Sequence, residues 1–160
     1  MKARIAPVSL VLVLAVAYAS PAPAPQLRLA PEEVDAMPAH DSGAGTSGVA
    51  GIRTTVVAGD PTGPGPYTIR LSIAANTRIQ AHTHRDDRTA VVVAGVWYFG
   101  YGPAASAAAE KALPAGSVYT EPAGIAHFAE TKSQGVVVYI TGSGPTDTVF
   151  VKTRDESTVK

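Results

Sequence analysis

The chain has 160 residues, with 13 basic and 13 acidic residues and no cysteine. This length fits one domain, and 46% hydrophobic against 16% charged residues is enough to build a sizeable core. A nucleic-acid partner is not expected, because neutralising phosphates needs clustered Lys and Arg. The absence of thiols excludes disulfides, thiolate ligands and cysteine nucleophiles.

The N-terminus has the pattern of an export signal. Lys2 and Arg4 give a positive start, residues 8–17 are almost entirely apolar, and small residues typical of a cleavage site end at Ala19. The apolar run is shorter than the roughly 20 residues of a membrane span. We therefore expect 1–19 to be a cleaved signal peptide and the mature protein to be periplasmic or extracellular, without stable membrane insertion. An uncleaved anchor is the alternative.

The next segment, 20–51, is rich in Pro, Ala and Gly and is predicted to be a flexible leader. Within it, residues 31–34 are able to begin one helical turn, since Pro and acidic residues favour a helix start. His40 lies in this leader and is assigned no functional role.

From residue 52 onward the chain consists of short β-branched runs separated by turn residues. The predicted strands cover 52–58, 67–74, 78–84, 89–94, 96–101, 117–120, 125–131, 135–142 and 148–152. Many short strands with regular turns predict an all-β sandwich or barrel over 52–152. The Ala-rich stretch 104–112 is predicted to be a loop with one turn of helix, and the polar tail 153–160 to be frayed.

Three of the four histidines lie in two short motifs. His82 and His84 are one residue apart on a predicted strand, so their side chains point to the same face. His127 follows Pro122 and Gly124 on another predicted strand. Three imidazoles on neighbouring strands would form a cap that binds a divalent transition metal (Fe, Zn, Mn, Cu or Ni) and leaves positions open, and imidazoles alone do not select among these metals.

These two motifs resemble those of the cupin superfamily, in particular its small single-domain bacterial members. The first family motif has the order Gly, His-x-His, Glu, Gly, and it corresponds to positions 76, 82, 84, 88 and 95. The second has the order Gly, Pro-x-Gly-x-x-His, Asn, and it corresponds to positions 116, 122, 124, 127 and 131. The resemblance implies a small double-stranded β-helix, the cupin jelly-roll barrel of antiparallel sheets, and a homodimer.

Three positions depart from the family pattern. Asn76 replaces a glycine and Thr131 replaces an asparagine, and neither of these family positions supplies a metal ligand. Arg88 stands where the resemblance places a glutamate ligand, and a guanidinium has no lone pair to donate. Either the site keeps three histidines only, which we favour, or Asp86 or Asp87 takes the place of the missing carboxylate.

The orientation of Arg88 is open at this point. Facing inward, its planar guanidinium would bind a substrate carboxylate beside the metal. Facing outward, it would pair with an aspartate of the adjoining turn.

Other candidate residues are aromatic or acidic. Tyr98, Tyr119 and Tyr139 are candidates for substrate binding because each could present a hydroxyl to the pocket. Glu121 and Glu130 flank the third histidine, and we interpret them as solvated, since strand alternation turns Glu130 away from its face.

The leading functional hypothesis is a metal site that binds a small organic ligand inside the barrel. By resemblance, an enzyme of this kind would be an Fe(II) dioxygenase, while a zinc ion in the same place would act hydrolytically. The alternatives are an exported barrel that binds a ligand or metal without turnover, and a structural barrel with vestigial histidines.

Overall fold

The computed structural model describes residues 25–152. The predicted signal peptide, 1–19, and the predicted tail, 153–160, lie outside the described residues, as does the start of the leader, 20–24. Within the described range, no helix combines the length and the apolar character that a membrane span requires.

The described chain contains one short α-helix, one turn of 3-10 helix and eleven strands. In chain order these are α1 (Pro31–Asp35), β1 (Ala39–His40), β2 (Ile52–Ala58), β3 (Gly65–Ile73), β4 (Arg78–Thr83), β5 (Arg88–Ala94), β6 (Val96–Tyr101), the 3-10 turn (Ala107–Ala109), β7 (Glu110–Pro114), β8 (Val118–Glu121), β9 (His127–Glu130), β10 (Val136–Gly144) and β11 (Val149–Phe150).

The strands form two antiparallel sheets. One has six strands in the order β1-β2-β3-β10-β5-β8, and the other has five in the order β11-β4-β9-β6-β7. The buried side chains of both sheets belong to a single cluster, so the sheets face each other across one core. The predicted all-β fold of facing antiparallel sheets is confirmed.

Strand alternation builds the core. Along β3, the buried side chains of Tyr67, Ile69, Leu71 and Ile73 alternate with partly exposed ones. Bulky residues of the opposite sheet meet them, among them Trp97 and Phe99. The largest fully buried aliphatic and aromatic side chains are Tyr67, Phe128, Ile52, Ile69 and Ile140.

The outer face of the six-stranded sheet carries an apolar patch. Val91 of β5 pairs directly with Val118 of β8, and both are exposed. Val93, two residues further along β5, is exposed as well. Such a patch is compatible with self-association, and the homodimer stays a prediction.

The structure contains strands that the sequence did not predict. β7 follows the 3-10 turn within the Ala-rich region and pairs with β6 over 110–114. Its residues are not β-branched, so this strand depends on pairing with β6 rather than on intrinsic propensity. In the leader, the predicted helical turn is confirmed as α1, and Ala39 and His40 pair with β2.

Two positions of the first motif have a left-handed backbone. Asn76 has a φ of 57°, which explains how asparagine replaces glycine there, since Asn tolerates this conformation. Gly95, between β5 and β6, has a φ of 76°. A Cβ atom at Gly95 would lie 2.2 Å from the carbonyl oxygen of Gly135, so no side chain fits without moving backbone.

We predict that Gly95→Ala destabilises the protein far more than Gly116→Ala. Both glycines have positive φ, but a Cβ at Gly116 meets nothing within 4 Å. The control should lose only the left-handed strain, about 1–2 kcal/mol, while Gly95→Ala adds an overpacking cost of about 1–3 kcal/mol. Urea unfolding of both variants measures this difference, and equal losses would contradict the role of close packing at Gly95.

Candidate metal centre

A β-bulge places the first two histidines. Ile79 of β4 pairs with Ala129 of β9, and His82 pairs with His127, so β4 advances three residues where β9 advances two. The extra residue changes which positions face inward, and Ile79 and His82 therefore both line the interior. His84, just after the end of β4, is buried as well.

The three histidines of the motifs lie together inside the barrel. Their ring centroids are 4.9 Å apart for His82 and His84, 4.4 Å for His82 and His127, and 5.0 Å for His84 and His127. One ring nitrogen from each lies within 4.8 Å of the others. This is a set of donor atoms that could hold one metal ion.

Main-chain carbonyls orient all three rings. The Nδ1 atoms lie against the carbonyl oxygens of Gln80 (His82, 2.7 Å), Ile125 (His127, 3.0 Å) and Asp147 (His84). Since a carbonyl oxygen only accepts, each Nδ1 carries the hydrogen and each Nε2 keeps its lone pair. Nε2 of His127 is buried without a hydrogen-bond partner in the described structure. Metal-binding histidines are typically held in this way.

The imidazoles are neutral at physiological pH. Burial, reinforced by the repulsion that would arise if His127 were protonated as well, lowers the pKa of His82 to about 4. Burial, reinforced by the charge of Arg88, lowers the pKa of His84 to about 3. Burial also lowers the pKa of His127. Neutral imidazole is the form that binds metals, so the site does not have to lose protons before an ion can bind.

A buried ion pair adjoins the histidines. Arg88 and Glu121 face each other directly across β5 and β8, and both are buried. Nε of Arg88 donates to Oε2 of Glu121 at 2.6 Å, and Nη2 contacts the same oxygen and also Nε2 of His84. The structure thus places Arg88 on the inward side.

Glu121 is the site residue that the sequence analysis missed. Interpreting it as solvated was wrong, because it is only 4% exposed. Its Oε2 lies 3.7 Å from Nε2 of His84, and its Oε1 lies 3.7 Å from Nε2 of His127. Burial favours a raised pKa for Glu121, but Arg88 and the neighbouring histidines outweigh it and lower the pKa, so the carboxyl is ionised. The sequence carried no signal for this position, because only the pairing of β8 with β5 brings Glu121 opposite Arg88.

The aspartates considered as replacement ligands have other partners. Asp86 accepts hydrogen bonds from the hydroxyls of Tyr67 at 2.7 Å and Thr146 at 2.6 Å. Asp87 accepts one from the backbone N–H of Ala123 at 2.8 Å. Both carboxylates therefore brace the turn after the second histidine and do not join the cluster.

Of the three candidate tyrosines, Tyr119 alone lines the cavity beside the histidines. Its ring packs 4.4 Å from that of Phe99, and burial raises its pKa. Tyr98 lies on the opposite face of its strand under the ammonium group of Lys132. Tyr139 borders a groove on the outside of the six-stranded sheet.

The cavity itself is small, with a volume of about 30 Å³. A water molecule needs at least about 10–15 Å³ in the same measure, so there is room for an ion with one or two small ligands. The polar part of its wall consists of the three histidines with Arg88 and Glu121. The apolar part includes Leu71, Ile79 and Trp97.

Comparison with known proteins identifies the fold. Neither a family model nor a curated protein matches the chain. The RmlC-like cupin from Shewanella frigidimarina is 17% identical, with a TM-score of 0.55 over 75% of this chain and 92% of that one. The polyketide cyclase RemF from Streptomyces resistomycificus is 13% identical (TM-score 0.65, 82% and 89%), and a cupin-2 domain from Rhodospirillum rubrum is 10% identical (TM-score 0.59, 81% and 81%). The chain therefore has the cupin fold.

The buried histidines predict that the metal-free protein loses stability as the pH falls below about 6.5. Unfolded histidines titrate near 6.5, whereas His82 in the folded protein titrates near 4, so between these values the unfolded state binds more protons. Each such histidine should contribute up to about 1.4 kcal/mol per pH unit in this window. Urea unfolding with a chelator, repeated from pH 7 to pH 4, measures the slope.

Two variants test the source of this slope. His82→Gln should reduce it, and His40→Gln, at an exposed position, is the matched control. An unchanged slope in His82→Gln would contradict the assignment.

Proposed function

We propose that this barrel binds one divalent transition metal through Nε2 of His82, His84 and His127. The observation that carries the proposal is the convergence of three neutral imidazoles whose Nδ1 atoms are already bonded to carbonyls. Leaving a buried acceptor without a partner costs free energy, as at Nε2 of His127. A metal ion would satisfy it.

The reaction class depends on the ion. A metal bound here would supply Lewis-acid chemistry, or dioxygen chemistry if it were Fe(II). The chain's own contribution would be to orient the ligands and to exclude water with apolar walls. A cavity of about 30 Å³ would admit only the reacting end of a small organic molecule.

A barrel that binds without turnover is the second candidate, and one observation favours it. Among the described residues lining the cavity, the titratable groups are the three imidazoles, the paired Arg88 and Glu121, and Tyr119. With a metal on the histidines, none of these is an unpaired acid or base with a pKa suited to proton transfer near pH 7. Arg88 would also have to leave Glu121 before it could bind a substrate carboxylate.

We predict that His127→Ala abolishes stoichiometric metal binding. The wild type should hold about one metal per chain after dialysis without chelator, and the variant close to none, because a three-imidazole site loses a ligand with no replacement at the same position. Elemental analysis measures the content, with His40→Ala as the matched control for an exposed histidine.

The outcome also separates the two candidates. Iron that is bound stoichiometrically, together with oxygen consumption on addition of an organic substrate, would support the dioxygenase. Zinc or copper without turnover would support the binding protein. Equal metal content in the wild type and His127→Ala would overturn the metal site.

We also propose that the chain is exported and cleaved after Ala19. The positive start, the apolar run and the small residues that end at Ala19 support this proposal. Mass spectrometry of the protein from its native source should find Ser20 as the first residue, in the periplasmic or extracellular fraction. Protein that keeps residues 1–19 in the cytoplasmic fraction would contradict it.

A further inference from the structure

The Arg88–Glu121 pair is asymmetric. Both contacts of the guanidinium go to Oε2 of the carboxylate, through Nε and Nη2. Oε1 faces Nε2 of His127 at 3.7 Å. Since Nδ1 of His127 carries the hydrogen, this approach brings two lone pairs towards each other, and a hydrogen bond cannot join them.

From this arrangement we propose that Glu121 is the fourth ligand of the metal. The inference rests on the proposed metal site and adds an anionic ligand to it. The carboxylate comes from β8, directly across the strand pair from Arg88, the position where a glutamate would otherwise be expected.

The distances permit this coordination. Nitrogen and oxygen ligands lie about 2.0–2.2 Å from a zinc ion, so two ligands of one ion are at most about 4.4 Å apart. Oε2 of Glu121 and Nε2 of His84 are 3.7 Å apart, as are Oε1 of Glu121 and Nε2 of His127. Each separation falls within the limit, one for each carboxylate oxygen. The donor atoms that already lie within 4.8 Å of one another belong to the three histidines alone, so the Glu121 side chain has to turn towards the ion as Arg88 leaves.

The same contacts assign a second role to Arg88. Its Nη2 lies against Nε2 of His84 and Oε2 of Glu121, two atoms that would bind the ion. The guanidinium and the metal therefore compete for the same acceptors. Arg88 keeps the buried carboxylate neutralised when no metal is bound, and it has to leave these atoms when an ion arrives.

Cobalt binding tests the assignment, read from the dissociation constant and the visible absorption of Co²⁺. Arg88→Gln removes the competing cation and keeps Glu121, so it should bind Co²⁺ at least as tightly as the wild type. The double variant Arg88→Gln/Glu121→Gln should bind Co²⁺ at least about 100-fold more weakly than Arg88→Gln. Even residues that only hydrogen-bond to a metal ligand change the metal affinity by about 10–100-fold when they are replaced, and a direct ligand should matter at least as much. Its Co²⁺ absorption should also change, because a ligand is lost.

The comparison within the Arg88→Gln background isolates the carboxylate from the competing charge. Equal affinity and equal spectra for the single and double variants would overturn the role of Glu121. If the wild type and Arg88→Gln both fail to bind Co²⁺, the metal site itself is wrong. If the wild type binds Co²⁺ and both Gln variants bind it equally well, only the fourth ligand is wrong.

A crystal structure of the wild type with Zn²⁺ gives a test that does not depend on how the variants fold. A carboxylate oxygen of Glu121 within about 2.0–2.2 Å of the ion, with Arg88 displaced from His84, would support the proposal. An ion on the three histidines with Glu121 still paired to Arg88 would overturn it.

Discussion

A barrel lined by apolar side chains tolerates buried charge only when each charge has a partner. Arg88 and Glu121 meet this requirement by facing each other across β5 and β8, and the three histidines meet it by staying neutral. Removing one member of a buried pair typically costs about 3–5 kcal/mol. The pairing register of β5 and β8 is therefore constrained by the need to keep Arg88 opposite Glu121. A shift of β8 by one residue would turn Glu121 outward and leave Arg88 buried without its partner.

The second constraint is geometric. β4 must supply Ile79 to the core and His82 to the cluster, and a regular strand would point these two side chains to opposite faces. The bulge against β9 resolves the conflict and leaves the carbonyl of Gln80 in reach of the ring of His82. The same irregularity thus serves packing and the orientation of a donor atom.

Much of this arrangement could be predicted from the chain alone. Short β-branched runs with turn residues predicted the two-sheet fold, and the His-x-His spacing predicted which histidines share a face. The bulge could not be predicted, because it depends on the pairing of β4 with β9. The burial of Glu121 was missed for a related reason: its environment is set by Arg88, a residue distant in sequence, and a glutamate is ordinarily exposed. β7 was missed because its stability comes from its neighbour.

The partners of the three Nδ1 atoms are main-chain carbonyls rather than side chains. Every amino acid carries that carbonyl, so the residues at positions 80, 125 and 147 can change through evolution without altering the tautomer or the aim of a ring. The orientation of the triad is encoded in backbone shape. A lineage can therefore replace most of the surrounding side chains and still inherit the same three converging nitrogens.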